Sequence, residues 1–322
     1  MKKKIFVDPK TKESLCFDNC SEYLVSPSGS KYQVKDNVPY LIYPRVLDNN
    51  EKDSWEFYQG RADQYEDTLH LTFKTHGLDE ESTRQTFIDK LNLRNDSKVL
   101  EIACGTGRDS VLIANRLSKG GELHLQDLSS DMLRICHDKL KDHDSVSSFA
   151  LANAQYLPYP DHYFDGVYSF GALGEFSDIA LAIKEMVRVS KIGAKIVIGD
   201  ESVPSWLRKT NYFKILKETN PMFEAKLPLD ALPIEARNTS IHYVIGQTFY
   251  LIEFEVGKGE PTADFDFDIP GIRGGSYRTR YEGKLEGVSK EAYELAWEEV
   301  KNNDSNMHDW LSKLIIKELR NK

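Results

Sequence analysis

Cysteine is scarce in this chain: four in 322 residues, Cys16, Cys20, Cys104 and Cys136. They are too few and too scattered for a disulfide framework, which points to reduced thiols and a cytoplasmic protein. Positive charge is short as well. The chain carries 42 Lys and Arg against 51 Asp and Glu, a formal net charge of −9. A protein whose main partner is a nucleic-acid backbone needs a basic face, so the balance argues against that partner. No apolar run approaches the length of a membrane span. Met1-Lys2-Lys3-Lys4 looks like the start of a secretory signal, but only Ile5-Phe6-Val7 follows before Asp8-Pro9, so no signal peptide is expected. Repeats and low-complexity segments are missing too. What is present is a chain long enough to bury a large core.

Its most informative stretch is Val99-Leu100-Glu101-Ile102-Ala103-Cys104-Gly105-Thr106-Gly107-Arg108. A buried strand ends near an acid, a tight glycine turn comes next, and Ser110-Val111-Leu112-Ile113-Ala114 opens a helix. Glycines there allow positive φ and let backbone approach a ligand at a helix N-terminus. Such a corner alone does not separate a ligand site from an ordinary strand–helix turn; the residues downstream of it do. A second strand, Glu122-Leu123-His124-Leu125-Gln126, ends at Asp127, where an acid accepts hydrogen bonds from ribose hydroxyls. Ser129 or Ser130 then caps a helix. Asn153-Ala154-Gln155-Tyr156-Leu157-Pro158 comes next, and Tyr163–Phe170 reads as a fourth buried strand. No third close glycine follows Gly107, which disfavours ordinary dinucleotide binding.

This order resembles the class I S-adenosylmethionine (SAM) dependent methyltransferases, closest to the ubiquinone/menaquinone-biosynthesis subfamily, over about residues 55 to 256. The resemblance implies an α/β, Rossmann-like seven-stranded sheet and SAM as cofactor. The family's acid-x-Gly-x-Gly-x-Gly motif falls on Glu101, Ala103, Gly105 and Gly107, with alanine at the first glycine. Its ribose acid falls on Asp127, and its adenine-contacting Asp-Ala pair on Asn153 and Ala154. Asparagine can still meet the adenine amino group through its carbonyl oxygen. Leu128, Met132 and Phe170 are further candidate cofactor contacts. The family's helix before the glycine turn covers SAM, often with a tyrosine, which singles out Tyr58 and Tyr65; aromatic core at helical spacing is the plain alternative.

The expected organisation has three parts. Residues 1–46 read as short strands (4–7, 23–25, 31–34, 39–43), and resemble a small zinc ribbon whose knuckle positions hold Asp8, Thr11, Ser26 and Gly29 instead of thiolates. A metal-free, degenerate ribbon is expected, with a site at Cys16 and Cys20 as the alternative. Residues 47–256 form the SAM-binding domain: helices over 47–95, including 83–93, then the sheet, with a helix at 179–189, a fifth strand at 195–199, a helix at 206–219, and a closing hairpin at 241–246 and 249–256. Residues 257–322 form a C-terminal extension, an Arg/Gly loop plus helices near 289–302 and 305–320, read as a substrate lid.

SAM carries an already activated methyl group, so holding a nucleophile in line and excluding water suffice without a catalytic triad. Candidate bases lie at the carboxyl ends of the strands. They are Glu175 after strand four and Asp200 (with Glu201) after strand five. Tyr168 and His162 are weaker choices, and His242 reads as a core histidine. Arg273, Arg278 and Arg280, set among glycines and tyrosines, suit a carboxylate or phosphate on a substrate; pairing with Asp264, Asp266 or Asp268 is the alternative. The resulting expectation is a methyltransferase acting on a small molecule, an acidic metabolite or natural product among the candidates, with the oligomeric state open. The rival readings are an RNA or protein methyltransferase, a SAM-using enzyme that does not transfer methyl, such as one that cyclises SAM, and a non-catalytic SAM-binding regulator.

Overall fold

A computed structural model describes residues 5–282 and 288–321. The Met1–Lys4 cluster, including the head of the first expected strand, lies outside the described residues. Met1–Glu260 form one compact unit and Pro261–Lys322 a second.

The first unit begins with a four-stranded antiparallel sheet, β1 (Cys16–Phe17), β2 (Tyr23–Val25), β3 (Lys31–Lys35) and β4 (Val38–Pro39). Helices α1 (Asn49–Tyr58), α2 (Ala62–Thr68), α3 (His70–Thr75) and α4 (Glu80–Asp89) follow. Then come β5 (Lys98–Ile102), α5 (Arg108–Arg116), β6 (Glu122–Asp127), α6 (Ser130–Leu140), β7 (Val146–Leu151), β8 (Phe164–Phe170), α7 (Ile179–Val189), β9 (Ser190–Glu201), α8 (Asn211–Thr219), β10 (Ala236–Val244) and β11 (Phe249–Val256).

The large sheet has seven strands in the order β10-β11-β9-β8-β5-β6-β7. β11 runs antiparallel to β9 and β10, and the five strands from β9 to β7 are parallel to one another. A parallel strand needs a crossover, and those crossovers cover both faces, so the central strands are apolar on both sides. On β5, Val99 joins one core with Phe87, Ile113 and Leu125, while Leu100 and Ile102 join the other with Val167, Ile183 and Ile196. Strand order reverses between β5 and β8, which opens a crevice at the carboxyl edge.

Several expected boundaries move for local reasons. The helical span 47–95 is broken into four helices; positive-φ Gly60 and Gly77 each take a conformation a helix excludes. The helix expected at 83–93 is α4, set at its start by Asp79, whose side chain accepts from the Ser82 amide at 2.8 Å. The span 206–219 divides into a 3₁₀ turn, Ser205–Leu207, and α8, which Thr210 caps. The first expected strand is reduced to one bridge, Val7 to Ser14. The fourth ends at Pro39, after which Tyr40 bridges Leu151 and the Leu41 amide bonds the Leu151 carbonyl at 2.7 Å. The small sheet thereby covers the β7 edge of the large one, and edges left bare invite aggregation. Leu15, Leu24 and Leu41 share a core with Ala150 and Ala152.

The second unit holds α9 (Tyr277–Glu282), which the sequence did not announce, and α10 (Lys290–Asn302) and α11 (Met307–Arg320), close to expectation.

The knuckle positions of the small sheet are tied by hydrogen bonds. Asp8 is fully buried. Its Oδ1 accepts from the Lys10 and Thr11 amides at 2.8 and 2.9 Å, and its Oδ2 from the Tyr32 hydroxyl at 3.1 Å. Across from it, Ser26 Oγ meets Ser28 Oγ at 2.9 Å and accepts from the Ser30 amide at 3.0 Å. Burial raises the Asp8 pKa, but the Thr11 and Lys10 amides and the Ser30 and Tyr32 hydroxyls outweigh it and hold it below the ordinary value. Asp8→Ala strips these donors of their acceptor and is expected to cost about 1–3 kcal/mol in urea unfolding at neutral pH. A depressed carboxylate pKa contributes stability above its unfolded value of ~3.9 and loses it as pH falls through the lower folded value. The penalty should therefore shrink towards pH 3, and elemental analysis of the parent chain should show no stoichiometric zinc.

Candidate functional site

The carboxyl edges of β5, β6, β8 and β9 meet the first two helices around a cavity of ≈ 560 Å³. Its wall begins with the glycine turn. Ala103, Gly105 and Gly107 all have positive φ, at 53°, 53° and 85°. A side chain at Gly105 would meet nothing within 4 Å, so the turn leaves open space on the ligand side. Gly107 serves another purpose: it does not line the cavity, and a Cβ there would lie 2.8 Å from Cys136 Sγ, so it lets α5 and α6 pack closely.

Asp127 holds this turn. Its Oδ2 accepts from the Gly105 amide and its Oδ1 from the Ser129 amide, each at 2.8 Å. Burial raises its pKa against the pull of the Ser129, Gly105 and Leu128 amides. Ser129 caps α6 by accepting from the Met132 amide at 3.3 Å. Leu128, Met132, Ala152, Asn153 and Ala154 continue the wall. Asn153 Oδ1 already accepts from the Gln155 amide at 3.0 Å, so part of its expected capacity is used within the turn.

Glu101 is buried and lines the cavity, and its Oε2 has no partner among the described residues. Burial and then the nearby Asp109 carboxylate push its pKa well up, against the Ser110 hydroxyl and Arg84. Arg84, which sequence reasoning missed, lies 2.8 Å from both Glu80 Oε1 and Asp109 Oδ2 and sits over the Phe73 ring. Arg108 pairs with Glu80 at 2.7 Å and Glu66 at 3.3 Å. The signal was present: Glu80 and Arg84 stand at i, i+4, and Asp109 opens α5.

From α1 and α2 come Trp55, Tyr58 and Tyr65; the two tyrosines meet edge to face at 5.6 Å between centroids. Burial pushes Tyr65 up to about 12. Phe170, at the end of β8, also lines the cavity. Glu51 was not anticipated. It is buried in the wall, its Oε1 accepts from the Gln155 amide group and, at 3.1 Å, from the Ser177 amide, and its Oε2 has no partner among the described residues.

Glu175, Asp200 and Glu201 line the same cavity. Asp200 Oδ2 accepts from the Gly174 amide, so it anchors the 3₁₀ turn Leu173–Glu175 that carries Glu175. Burial pushes the Asp200 pKa well up, and Glu201 adds to it. Burial raises Glu175 as well, opposed by the Ser54 hydroxyl.

Tyr168, His162 and His242 are not where the sequence suggested. Tyr168 is not at the cavity; it is fully buried mid-strand, paired in register with Glu101 and Val197, because β8 runs on to Phe170. His162 sits before β8, at the opposite edge of the sheet, with Nδ1 3.0 Å from the Ser190 carbonyl. His242 is no core histidine: it is half-exposed on β10, 2.9 Å from Glu253 and 3.0 Å from Lys90. The three arginines belong to the second unit. Arg278 pairs with Asp266 at 2.7 Å, Arg280 donates to the Gly274 carbonyl at 3.0 Å, and Arg273 is exposed, its carbonyl accepting from the His308 amide at 3.0 Å.

Comparison with known proteins fits this geometry. Residues 50–227 match the model of the ubiE/COQ5 methyltransferase family. The ubiquinone/menaquinone biosynthesis C-methyltransferase UbiE of Chromobacterium violaceum is 37% identical over 142 residues, 44% of this chain and 53% of that protein. Its Proteus mirabilis counterpart is 32% identical over 165 residues, 50% of this chain and 64% of that one. The chain thus spans less than two thirds of the length of these relatives. A solved SAM-dependent methyltransferase structure from Methanococcus maripaludis matches at 18% identity with a TM-score of 0.48, covering 68% of this chain and 99% of that one.

The turn gives a paired test. Ala103 holds a left-handed conformation that costs an L-residue about 1–2 kcal/mol, so Ala103→Gly should raise stability by up to about 1 kcal/mol after the entropy gained by the unfolded chain is subtracted. Gly107→Ala meets both a positive φ and Cys136, and should cost about 2–4 kcal/mol. Thermal melts of the two variants should move in opposite directions.

Proposed function

Because the chain belongs to the ubiE/COQ5 methyltransferase family, we propose that it transfers the methyl group of SAM to a ring carbon of a small quinol-type acceptor. The observation that carries the reading is the single cavity in which Glu101, Gly105, Asp127 and Asn153-Ala154 meet Glu175 and Asp200. The residues fit the cofactor: the buried Glu101 Oε2 lacks a partner among the described residues, and the space beside Gly105 is open. When bound, SAM supplies an electrophilic methyl group on a sulfonium centre.

Each residue then has a role. Asp127 has lone pairs left for the ribose hydroxyls once its two amides are served. Glu101 receives the cationic end of the amino-acid portion, which compensates its buried charge. Asn153 and the Ala154 backbone edge the adenine. Tyr58, Tyr65 and Phe170 exclude water. Glu175 removes a hydroxyl proton from the acceptor, which leaves the ring carbon electron-rich, and Asp200 holds the turn that aims Glu175. Carboxyl groups outnumber the two arginines in this wall, and both arginines are already paired. An anionic acceptor is therefore disfavoured and a neutral hydroxylated one suits the wall. Unpaired thiols support a cytoplasmic setting. Among the described residues no helix is long and apolar enough to cross a membrane.

Calorimetry should show SAM and S-adenosylhomocysteine binding and little binding of NAD. Asp127→Ala should weaken SAM by about 1–3 kcal/mol; unchanged affinity would sink the cofactor assignment.

Methyl transfer should fall as pH is lowered through the raised Glu175 pKa, at a pH above the ordinary glutamate value of ~4.3. Glu175→Gln should lower the plateau rate roughly 10²–10⁴-fold and remove that limb, with SAM affinity kept. A variant that retains the limb assigns the proton transfer to another group.

A further inference from the structure

Glu51 is a buried acid of the cavity to which no step of methyl transfer assigns a task. It stands in the first turn of α1, is 3% exposed and lines the cavity. Its two oxygens are treated differently. Oε1 accepts from the side-chain amide of Gln155 and, at 3.1 Å, from the Ser177 amide. Oε2 has no partner among the described residues. A buried carboxylate oxygen without a donor is costly, and a bound donor relieves that cost. The donors on Oε1 fix the carboxylate, so Oε2 is an acceptor held in a set place.

Gln155 ties this acid to the loop after β7. Its backbone amide donates to Asn153 Oδ1 at 3.0 Å, and its Nε2, which serves Glu51, lies 3.4 Å from the same Asn153 oxygen. Asn153 Oδ1 therefore faces the donors of Gln155. That sets the orientation of the Asn153 amide and leaves its Nδ2, a donor, for the cavity it lines. Adenine presents an amino donor beside a ring-nitrogen acceptor on one edge. Asn153 thus suits the ring nitrogen and not the amino group. The acceptor that the amino group needs stands one side chain away, on α1.

We infer that Glu51 Oε2 accepts from the exocyclic amino group of the cofactor's adenine, so that an acid from α1 sets the choice of base while Asn153 donates to the ring edge. The inference rests on the reading of this cavity as a SAM site. Glu101 lies at the tip of β5 and Glu175 on the turn after β8, whereas Glu51 is joined to Asn153 through Gln155. A clasp that merely pinned α1 to Gln155 and Ser177 would be complete with Oε1 and indifferent to the base.

Calorimetry with S-adenosylhomocysteine and S-inosylhomocysteine, in which an oxo group replaces the amino group, separates these roles. The parent chain should prefer the adenosyl ligand by about tenfold or more. In Glu51→Gln the Gln155 and Ser177 donors hold the new amide oxygen at the Oε1 position, which puts its NH2 group at the Oε2 position and turns the acceptor into a donor. S-adenosylhomocysteine should then bind about tenfold or more weakly than to the parent, and S-inosylhomocysteine at least as tightly as before, so the preference collapses or inverts. Glu51→Ala should lower the preference without inverting it. Both affinities are read on one sample, so partial unfolding of a variant does not mimic the result. Equal weakening of both ligands, which a clasp requires, overturns the inference, and so does a parent without preference. A parent that binds neither ligand overturns the cofactor reading and this inference with it. A parent that prefers S-adenosylhomocysteine while Glu51→Gln keeps the same preference overturns the inference alone.

Discussion

The carboxylate of Asp127 is the fixed point of the first unit. One oxygen takes the Gly105 amide and the other the Ser129 amide, so the turn after β5 and the start of α6 close on a single anion. The left-handed residues of the turn result from that closure, because the chain must bend back within a few residues to present the Gly105 amide to the tip of β6. The Gly107 contact with Cys136 then brings α5 against α6. The open space beside Gly105 and the close packing of α5 on α6 are thus two consequences of one hydrogen-bonded corner, and a change in the corner is felt in both.

Around that corner the chain buries more acid than base. Arg84 offsets part of it by standing between Glu80 and Asp109, and Arg108 extends the web to Glu66. Glu101 keeps one oxygen without a hydrogen-bond partner among the described residues, and burial lifts its pKa against the pull of Arg84. A wall in this state favours a ligand that brings its own positive charge.

Legibility in the sequence tracked how local each determinant was. Strands β5, β6 and β8 and helix α7 were plain because continuous apolar runs and clean 3.6-residue periodicity are written in consecutive residues. The cavity-lining residues at the strand tips were plain for the same reason, since a strand tip and its turn are contiguous. Tyr168 was misplaced because distance along a strand from its end, not residue type, decides whether a side chain reaches the crevice. Arg84, Asp109 and Glu51 were missed because their significance lies in pairings that only the fold creates. His242 went wrong through its apolar neighbours: Ile241 and Tyr243 suggested a core, but β10 is the edge strand, and its outer surface meets Lys90 and Glu253.

The two ends of the chain face one physical problem, how a short segment with little apolar surface stays folded. The N-terminal segment meets it with hydrogen bonds and a neighbour. Asp8 gathers the turn at 8–12 and Tyr32 of β3, Lys12 reaches Glu185 on α7 at 2.8 Å, and the Val7 amide bonds the Pro158 carbonyl at 3.0 Å. A carboxylate can do this where a metal might be expected because a buried anion demands several donors, and satisfying it fixes several residues at once. The C-terminal hairpin is closed by an apolar contact and a cap at its turn, with Val300 buried and Asn306 accepting from the Asp309 amide at 2.9 Å. A polar hub fixes several residues through one group, whereas an apolar contact at a turn fixes only the elements that meet there. That difference in chemistry is why the first segment is built into the first unit, with Lys12 tied to Glu185 and Val7 to Pro158.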